Sequence, residues 1–190
     1  MKAIAVAAFL SLLVGCALPP EVPPTSGEVA LAPGISLSLP APADLGRKVE
    51  AVQWVAARYR GNLLTFEARL AVDGDALVLV GSDAMGRRLL TLRWTGTAIT
   101  VTDRADELPD DLRPENILAD ILLIYWPETA LRPHLKGATV RDADGVRSIR
   151  SGDAEIIRIV REGDGWSGRA RLDNLAWAYD LDIRSAEVKP

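Results

Sequence analysis

One cysteine and one histidine stand in 190 residues. That scarcity removes any His or Cys cluster able to hold a transition metal and any second sulfur with which to close a disulfide. A Gly-x-Ser-x-Gly nucleophile elbow is absent, as is a glycine-rich loop that would cradle a phosphate. His134, which follows Pro133, reads as a surface polar residue rather than a catalytic one. A basic excess is missing too: 22 Lys and Arg face 26 Asp and Glu, for a net charge of -4 spread along the chain. Such a balance argues against nucleic acid as a partner. Asp73-Gly74-Asp75 and Asp142-Ala143-Asp144-Gly145 invite a calcium reading, but the second lacks the later acidic ligand of an EF-hand. Both lie where hairpins must turn, which Asp and Gly explain unaided. The residues point to no cofactor, no metal and no enzyme.

What is present begins at the amino terminus. Lys2 supplies a positive charge, Ala3 to Leu12 a short apolar run, and Leu13-Val14-Gly15-Cys16 a cleavage pattern. The run falls short of the roughly 20 residues that span a bilayer as a helix, so it reads as a targeting segment. Leu-Val-Gly-Cys resembles the bacterial lipobox. The resemblance implies cleavage before Cys16, a diacylglyceryl group on its sulfur and an acylated new amino terminus carrying chains such as palmitate. Each buried methylene of such chains adds about 0.8 kcal/mol of membrane affinity. The alternative is an ordinary secretory signal with a chance cysteine. Ala17, where Asp would favour inner-membrane retention in enteric-type bacteria, implies a lipid-anchored protein of the outer membrane, facing the periplasm.

Three regions follow: a lipoprotein signal over residues 1–15, a lipidated and proline-rich tether over 16–43, and one domain over 44–190. Removing residues 1–15 deletes Lys2 and takes the net charge to -5. Seven prolines between residues 17 and 43 favour extended chain, at about 3.1 Å per residue where it is polyproline-like. Within that stretch Ile35-Ser36-Leu37-Ser38-Leu39 alternates and suits an edge strand. From Val49 to Asp103 the pattern is strand after strand: Leu64, Phe66, Ala68, Leu70 and Val72 share one face, and Leu90, Leu92 and Trp94 another. Asp73-Gly74 and Thr95-Gly96 supply turns. Pro114-Glu115 then opens a helix carrying Ile117, Leu118, Ile121, Leu122 and Tyr125, which Trp126-Pro127 breaks. A second helix is expected over Glu128 to Lys136, closed by Gly137. More strands follow to Ile183.

Five tryptophans (Trp54, Trp94, Trp126, Trp166, Trp177) fit either core packing or the lining of an apolar cavity, and periodicity does not separate the two. Met85 sits at the tip of the loop Ser82-Asp83-Ala84-Met85-Gly86, before Arg87-Arg88. Two readings are open there: a tip that dips into a membrane or partner groove, or a methionine folded back on the sheet.

Three segments carry a family resemblance: Tyr59-Arg60-Gly61, Ser82-Asp83-Ala84-Met85-Gly86-Arg87-Arg88-Leu89, and Pro114-Glu115-Asn116-Ile117-Leu118-Ala119-Asp120 running to Trp126-Pro127. With strands on both sides of a helical pair, behind a lipobox, they resemble the LolB-like outer-membrane lipoprotein-receptor family. They are similar, more closely, to another bacterial lipoprotein family of that superfamily, over most of residues 50–185. The implied fold is mainly β (α+β): a curved antiparallel sheet forming an incomplete barrel, its open side covered by a two-helix lid. Ile117, Ile121, Ile124, Trp126, Leu131 and Leu135 would form the lid, with Trp126-Pro127 as its hinge. Phe66, Leu70, Leu92 and Trp94 would line an apolar cavity for acyl chains. Receptors of that family use a leucine before a glycine on a protruding loop for membrane delivery. Met85 and Gly86 stand in the matching place, with Ala84 where the family loop has proline.

The implied function is binding or transfer of acyl chains, a lipid or a lipidated product. Members of the closer family tend to accompany clusters making polyene or fatty-acyl pigments, so an acyl product is the implied cargo. A second reading keeps the fold but fills its core, making a scaffold beside an envelope transport or assembly complex; the size of the cavity separates the two. A third, a periplasmic hydrolase using carboxylates, requires pH-tuned acids in a cleft.

Overall fold

A computed structural model describes residues 27–109, 112–163 and 165–188. Its main feature is a ten-stranded antiparallel sheet made of two meanders. The first runs through β3 (Val49–Tyr59), β4 (Asn62–Val72), β5 (Leu77–Ser82), β6 (Arg88–Trp94) and β7 (Ile99–Thr102); β1 (Glu28–Ala32) and β2 (Ile35–Ser38) precede it. The second runs through β9 (Thr139–Ala143), β10 (Val146–Ser151), β11 (Ala154–Gly163), β12 (Gly168–Asn174) and β13 (Tyr179–Glu187). Between them lie α1 (Pro114–Tyr125), α2 (Glu128–Leu131) and the short β8 (Leu135–Lys136). The meanders join where β13 pairs with β3, Tyr179 opposite Tyr59 and Glu187 opposite Ala51. The free edges are β7 and β9, so the sheet curves without closing. This is the expected incomplete barrel with a helical lid.

Period-2 patterning decides which face turns inward. Along β4, Ala68, Leu70 and Val72 are buried while Thr65 and Arg69 are exposed, and β5 alternates in the same way from Leu77. Along β6, Leu90, Leu92 and Trp94 are buried and Arg88 and Arg93 exposed. A register shift between Gly81 and Ser82 also brings Leu89 into the core.

Two expectations need correction. Residues 1–26, including Cys16 and the signal, lie outside the described residues, but the expected tether extends to residue 43. From Glu28 that stretch is part of the fold. β1 and β2 form a hairpin, and β2 pairs with β8 to complete a second, three-stranded sheet. Val29, Leu31 and Leu37 are buried within the main core. The alternating run from Ile35 is β2, as expected; β1 was not expected, because Pro33 turns the hairpin and Pro40 follows it while both strands are proline-free. The second helix is also shorter than expected. α2 ends at Leu131, a 3-10 turn covers Arg132–His134, and Leu135 belongs to β8 rather than to a helix. Pro133 explains the change, since it has no N–H to donate and cannot sit in a helix interior.

α1 fills the hollow of the sheet. Leu118, Leu122, Leu123 and Ile124 are fully buried, and Ala119, Ile121 and Tyr125 nearly so. Each large apolar side chain removed from water contributes about 1.5–3 kcal/mol. A helix apolar on nearly every side is a core element, not a surface one.

Candidate functional site

Among the described residues, one space lies between sheet and lid. A dry pocket of about 30 Å³ lies under the amino-terminal end of α1, lined by Leu64, Phe66, Leu79, Gly81, Leu89, Leu90, Leu108, Leu112 and Ile117. Of the residues expected to line a cavity, only Phe66 does so. Leu70, Leu92 and Trp94 are packed solid in the core, and Trp94 Nε1 donates to Pro40 O at 2.9 Å. Of the expected lid residues, Ile117 reaches the pocket; Ile121, Ile124, Trp126 and Leu131 are buried in the core, and Leu135 packs against its margin from β8. The tryptophans divide likewise: Trp94, Trp126 and Trp166 are buried, whereas Trp54 and Trp177 are exposed.

Polar contacts fasten the lid unevenly. At the carboxyl end of α1, Arg147 on β10 donates to Leu123 O, and Arg161 on β11 to Ile124 O at 3.2 Å. Cations suit this end of a helix, where carbonyls lack intrahelical partners and the dipole is negative. Arg147 is fully buried and forks onto Asp142, Nε to Oδ1 at 2.6 Å and Nη2 to Oδ2 at 2.7 Å. Burial pushes the Asp142 carboxyl up, but hydrogen bonds and charge from Arg147 and Arg161 outweigh it and hold the group below its ordinary value. Trp126 Nε1 donates to Ala41 O at 3.1 Å, and Gln53 Nε2 donates to Tyr125 Oη at 2.8 Å and Ser185 Oγ at 3.1 Å. Tyr125 stacks on Trp166, ring centres 4.0 Å apart. The helix is thus riveted at its carboxyl end; its amino end is seated on apolar contacts, and the segment just before it is held by the exposed Arg104, which donates to Pro109 O at 2.6 Å and Leu112 O at 3.2 Å.

One polar group sits midway. Asp120 on α1 is buried and accepts from Tyr179 Oη at 2.7 Å. Burial raises its carboxyl to about 7, with the Tyr179 hydrogen bond opposing. Burial, then the Asp120 charge and the shared hydrogen bond, push the Tyr179 hydroxyl well above its ordinary value. Helical spacing hid this group: Asp120 falls one residue before Ile121 and was assigned to no face, yet the helix is buried there too. Arg147 was also missed, although it shares a strand face with Ile149, which was a readable signal.

The Met85 alternatives resolve toward exposure: the side chain is 85% accessible at its loop tip. Asp83 builds the tip, its Oδ1 accepting from Met85 N and Arg87 N at 2.9 Å and its Oδ2 from Arg87 Nε at 2.7 Å. Gly86 holds φ +78°, a conformation that a side chain would strain. The aspartates first considered for calcium have other roles. Asp142 serves the arginines, and Asp73 Oδ1 accepts from Asp75 N and Ala76 N, closing the β4–β5 turn. Among the described residues no group of three or more His, Cys, Asp or Glu could hold a metal. The one strongly raised carboxyl, Asp120, lies in packed interior and not in a cleft. His134 is half-buried at the end of its 3-10 turn.

Fold and site together define a class: an open antiparallel half-barrel with a helical lid and an apolar interior. Residues 50–187 match the family described as "Protein of unknown function (DUF3261)", and the chain belongs to that family. Among solved structures, the crystal structure of a DUF1329 family protein from Desulfovibrio piger ATCC 29098 is similar at 10% identity and a TM-score of 0.31, covering 76% of this chain and 87% of that one. No curated protein matches the chain.

Proposed function

We propose that this is a non-enzymatic, lipid-anchored outer-membrane protein of the LolB-like superfamily that takes an acyl chain between its sheet and α1. The observation that carries the reading is the dry pocket under Ile117, at the end of the lid that no buried cation pins. Its volume of about 30 Å³ is that of a single water or methylene, so the closed form holds no acyl chain. Binding therefore requires the amino-terminal half of α1 and the segment carrying Leu108 and Leu112 to move outward. The pivot is the riveted end at Trp126-Pro127. Displaced apolar side chains and an acyl chain would exchange one dry contact for another, which keeps the cost of opening low in the presence of ligand. Met85, exposed beside Gly86, would deliver cargo to the membrane.

A second reading has a specific observation in its favour. The interior is nearly filled, as a scaffold beside an envelope transport or assembly complex would be. Native mass spectrometry separates the two, using a chain that lacks residues 1–15, carries Cys16→Ser and is recovered from the periplasm. A bound mass matching a lipid or acyl product, lost on delipidation, supports the carrier. A clean apo mass that also refuses a fluorescent fatty acid refutes it and leaves the scaffold.

A further inference from the structure

Among the described residues two charged side chains are buried, Arg147 and Asp120, and only the first has a countercharge. Arg147 is held by Asp142. Asp120 accepts from the Tyr179 hydroxyl at 2.7 Å, and no described cation meets it. The elements packed around α1 offer none. β7 holds no ionisable residue. On β1, Glu28 is exposed and bound to Ser36 and Lys136. On β12, Arg169 and Arg171 lie on the outer face against Asp182 and Asp173, and the buried Asn174 is neutral. On β13, Asp180 and Asp182 turn outward to Arg58 and Arg169, and Arg184 is exposed. On α1 itself, Glu115 pairs with Arg113. Tyr179 is thus the titratable group that faces Asp120.

An uncompensated charge in packed interior weakens the closed form, a penalty that leucine at the same position would not carry. Its place gives the penalty a use. Asp120 follows Ile117 by three residues, so both lie on the side of α1 that meets the pocket. Across the sheet a row of inward side chains links the two places. Leu64, in the pocket wall, pairs with Ala57, and Ala57 with Leu181, two residues along β13 from Tyr179. Ala57, Leu64 and Leu181 face the hollow yet are only half-buried, whereas Val55 and Ile183 in the next row are buried. The helix therefore seals the sheet least tightly along this row. Two strand spacings, about 10 Å, separate its ends, well within the length of an acyl chain. A chain seated under Ile117 and laid along the row brings its polar head to Asp120.

We infer that the ligand is an ammonium-bearing amphiphile, whose nitrogen supplies the countercharge that Asp120 lacks. The inference rests on the proposed uptake of an acyl chain between sheet and α1, and adds what selects the ligand. Asp120 and Tyr179 stand on two elements that part when the helix lifts. An ammonium group has three donors and can bridge the carboxylate and the phenolic oxygen. Other heads do less there: a hydroxyl brings no charge, and a carboxylate brings the wrong one.

The test is displacement of a fluorescent fatty acid by dodecylamine, 1-dodecanol and dodecanoic acid, using a chain without residues 1–15 and with Cys16→Ser. At pH 8 the Asp120 carboxyl, raised by burial to about 7, is ionised, and an alkylammonium is still protonated. Dodecylamine is then expected to compete at least about tenfold more tightly than dodecanol, the gain of one charge-assisted hydrogen bond. Dodecanoic acid should compete no better than dodecanol. At pH 5.5, where Asp120 holds its proton, the amine's advantage should be lost. Asp120→Asn should lose it at pH 8 while binding dodecanol as the parent does. Asp180→Asn, which removes a charge from the outer face of β13, should keep it. Equal competition by dodecylamine and dodecanol at pH 8 overturns the inference. So does a preference that survives Asp120→Asn, which would reduce it to attraction of a cation by an acidic protein. Either result leaves acyl binding standing, since dodecanol still competes. Binding of neither the fluorescent fatty acid nor any of the three chains overturns the acyl reading, and this inference with it.

Discussion

Asp120→Asn tests how tightly α1 is sealed against the sheet. Burial raises the wild-type carboxyl from 3.8 to about 7 in the folded protein. Between those values the native state holds a proton that the unfolded chain releases, so stability falls as pH rises and levels off above about 7. The full difference corresponds to about 4 kcal/mol. Asparagine keeps the shape and can still accept from the Tyr179 hydroxyl, but does not ionise. Its extra N–H group lacks a seated partner and costs about 1–3 kcal/mol at every pH. The variant should therefore gain about 3 kcal/mol on wild type between pH 5 and pH 8, and be the more stable of the two at pH 8. Urea unfolding at several pH values from 5 to 8 reads this directly. Carboxylates held low by arginines, such as Asp142 and Asp182, titrate below that window and do not contribute to the difference. Parallel curves over pH 5–8 would mean that water reaches Asp120, and the picture of a sealed lid would fail.

Arg147→Ala should lower stability by about 3 kcal/mol in urea, because it leaves Leu123 O without its donor and Asp142 with only Arg161. Gly81→Ala should fold normally, since a Cβ there meets the Phe66 ring at 3.8 Å and Leu90 O at 3.9 Å. It should gain up to about 1 kcal/mol while weakening fatty-acid uptake by occupying the pocket; unchanged uptake would place the ligand elsewhere. Gly137→Ala should be strongly destabilising, as its φ is +75° and a Cβ would lie 2.4 Å from Gly34 O; a midpoint within error of wild type would refute that geometry. A chain beginning at residue 44 should lack cooperative unfolding by circular dichroism, whereas one beginning at residue 27 should retain it.

Particular segments show where reading the sequence succeeds. β4 and β6 are legible because one face meets the core and the other water, so alternation is written into the residues themselves. α1 is legible from Pro114-Glu115 and from Trp126-Pro127 at its ends. Of the N-terminal hairpin, β2 is legible from the alternation of Ile35 to Leu39, whereas β1 was hidden because Val29 and Leu31 are buried by partners far along the chain, while the prolines around them are the local signal. The candidate site was legible only in part. Phe66 and Ile117 sit on faces that periodicity marks as apolar, but whether an apolar face lines a void or touches another side chain depends on what α1 brings to it.

Local chemistry alone determined that this chain makes antiparallel strands around a helical insertion and where most turns fall, since side-chain alternation and Asp-Gly or Thr-Gly pairs act over a few residues. Tertiary packing decided the rest. It joined β13 to β3, buried Asp120 against Tyr179, drew Arg147 onto the end of α1, and filled the hollow to a small pocket. Each of these depends on strand register and on contacts between residues tens of positions apart, which no local pattern encodes.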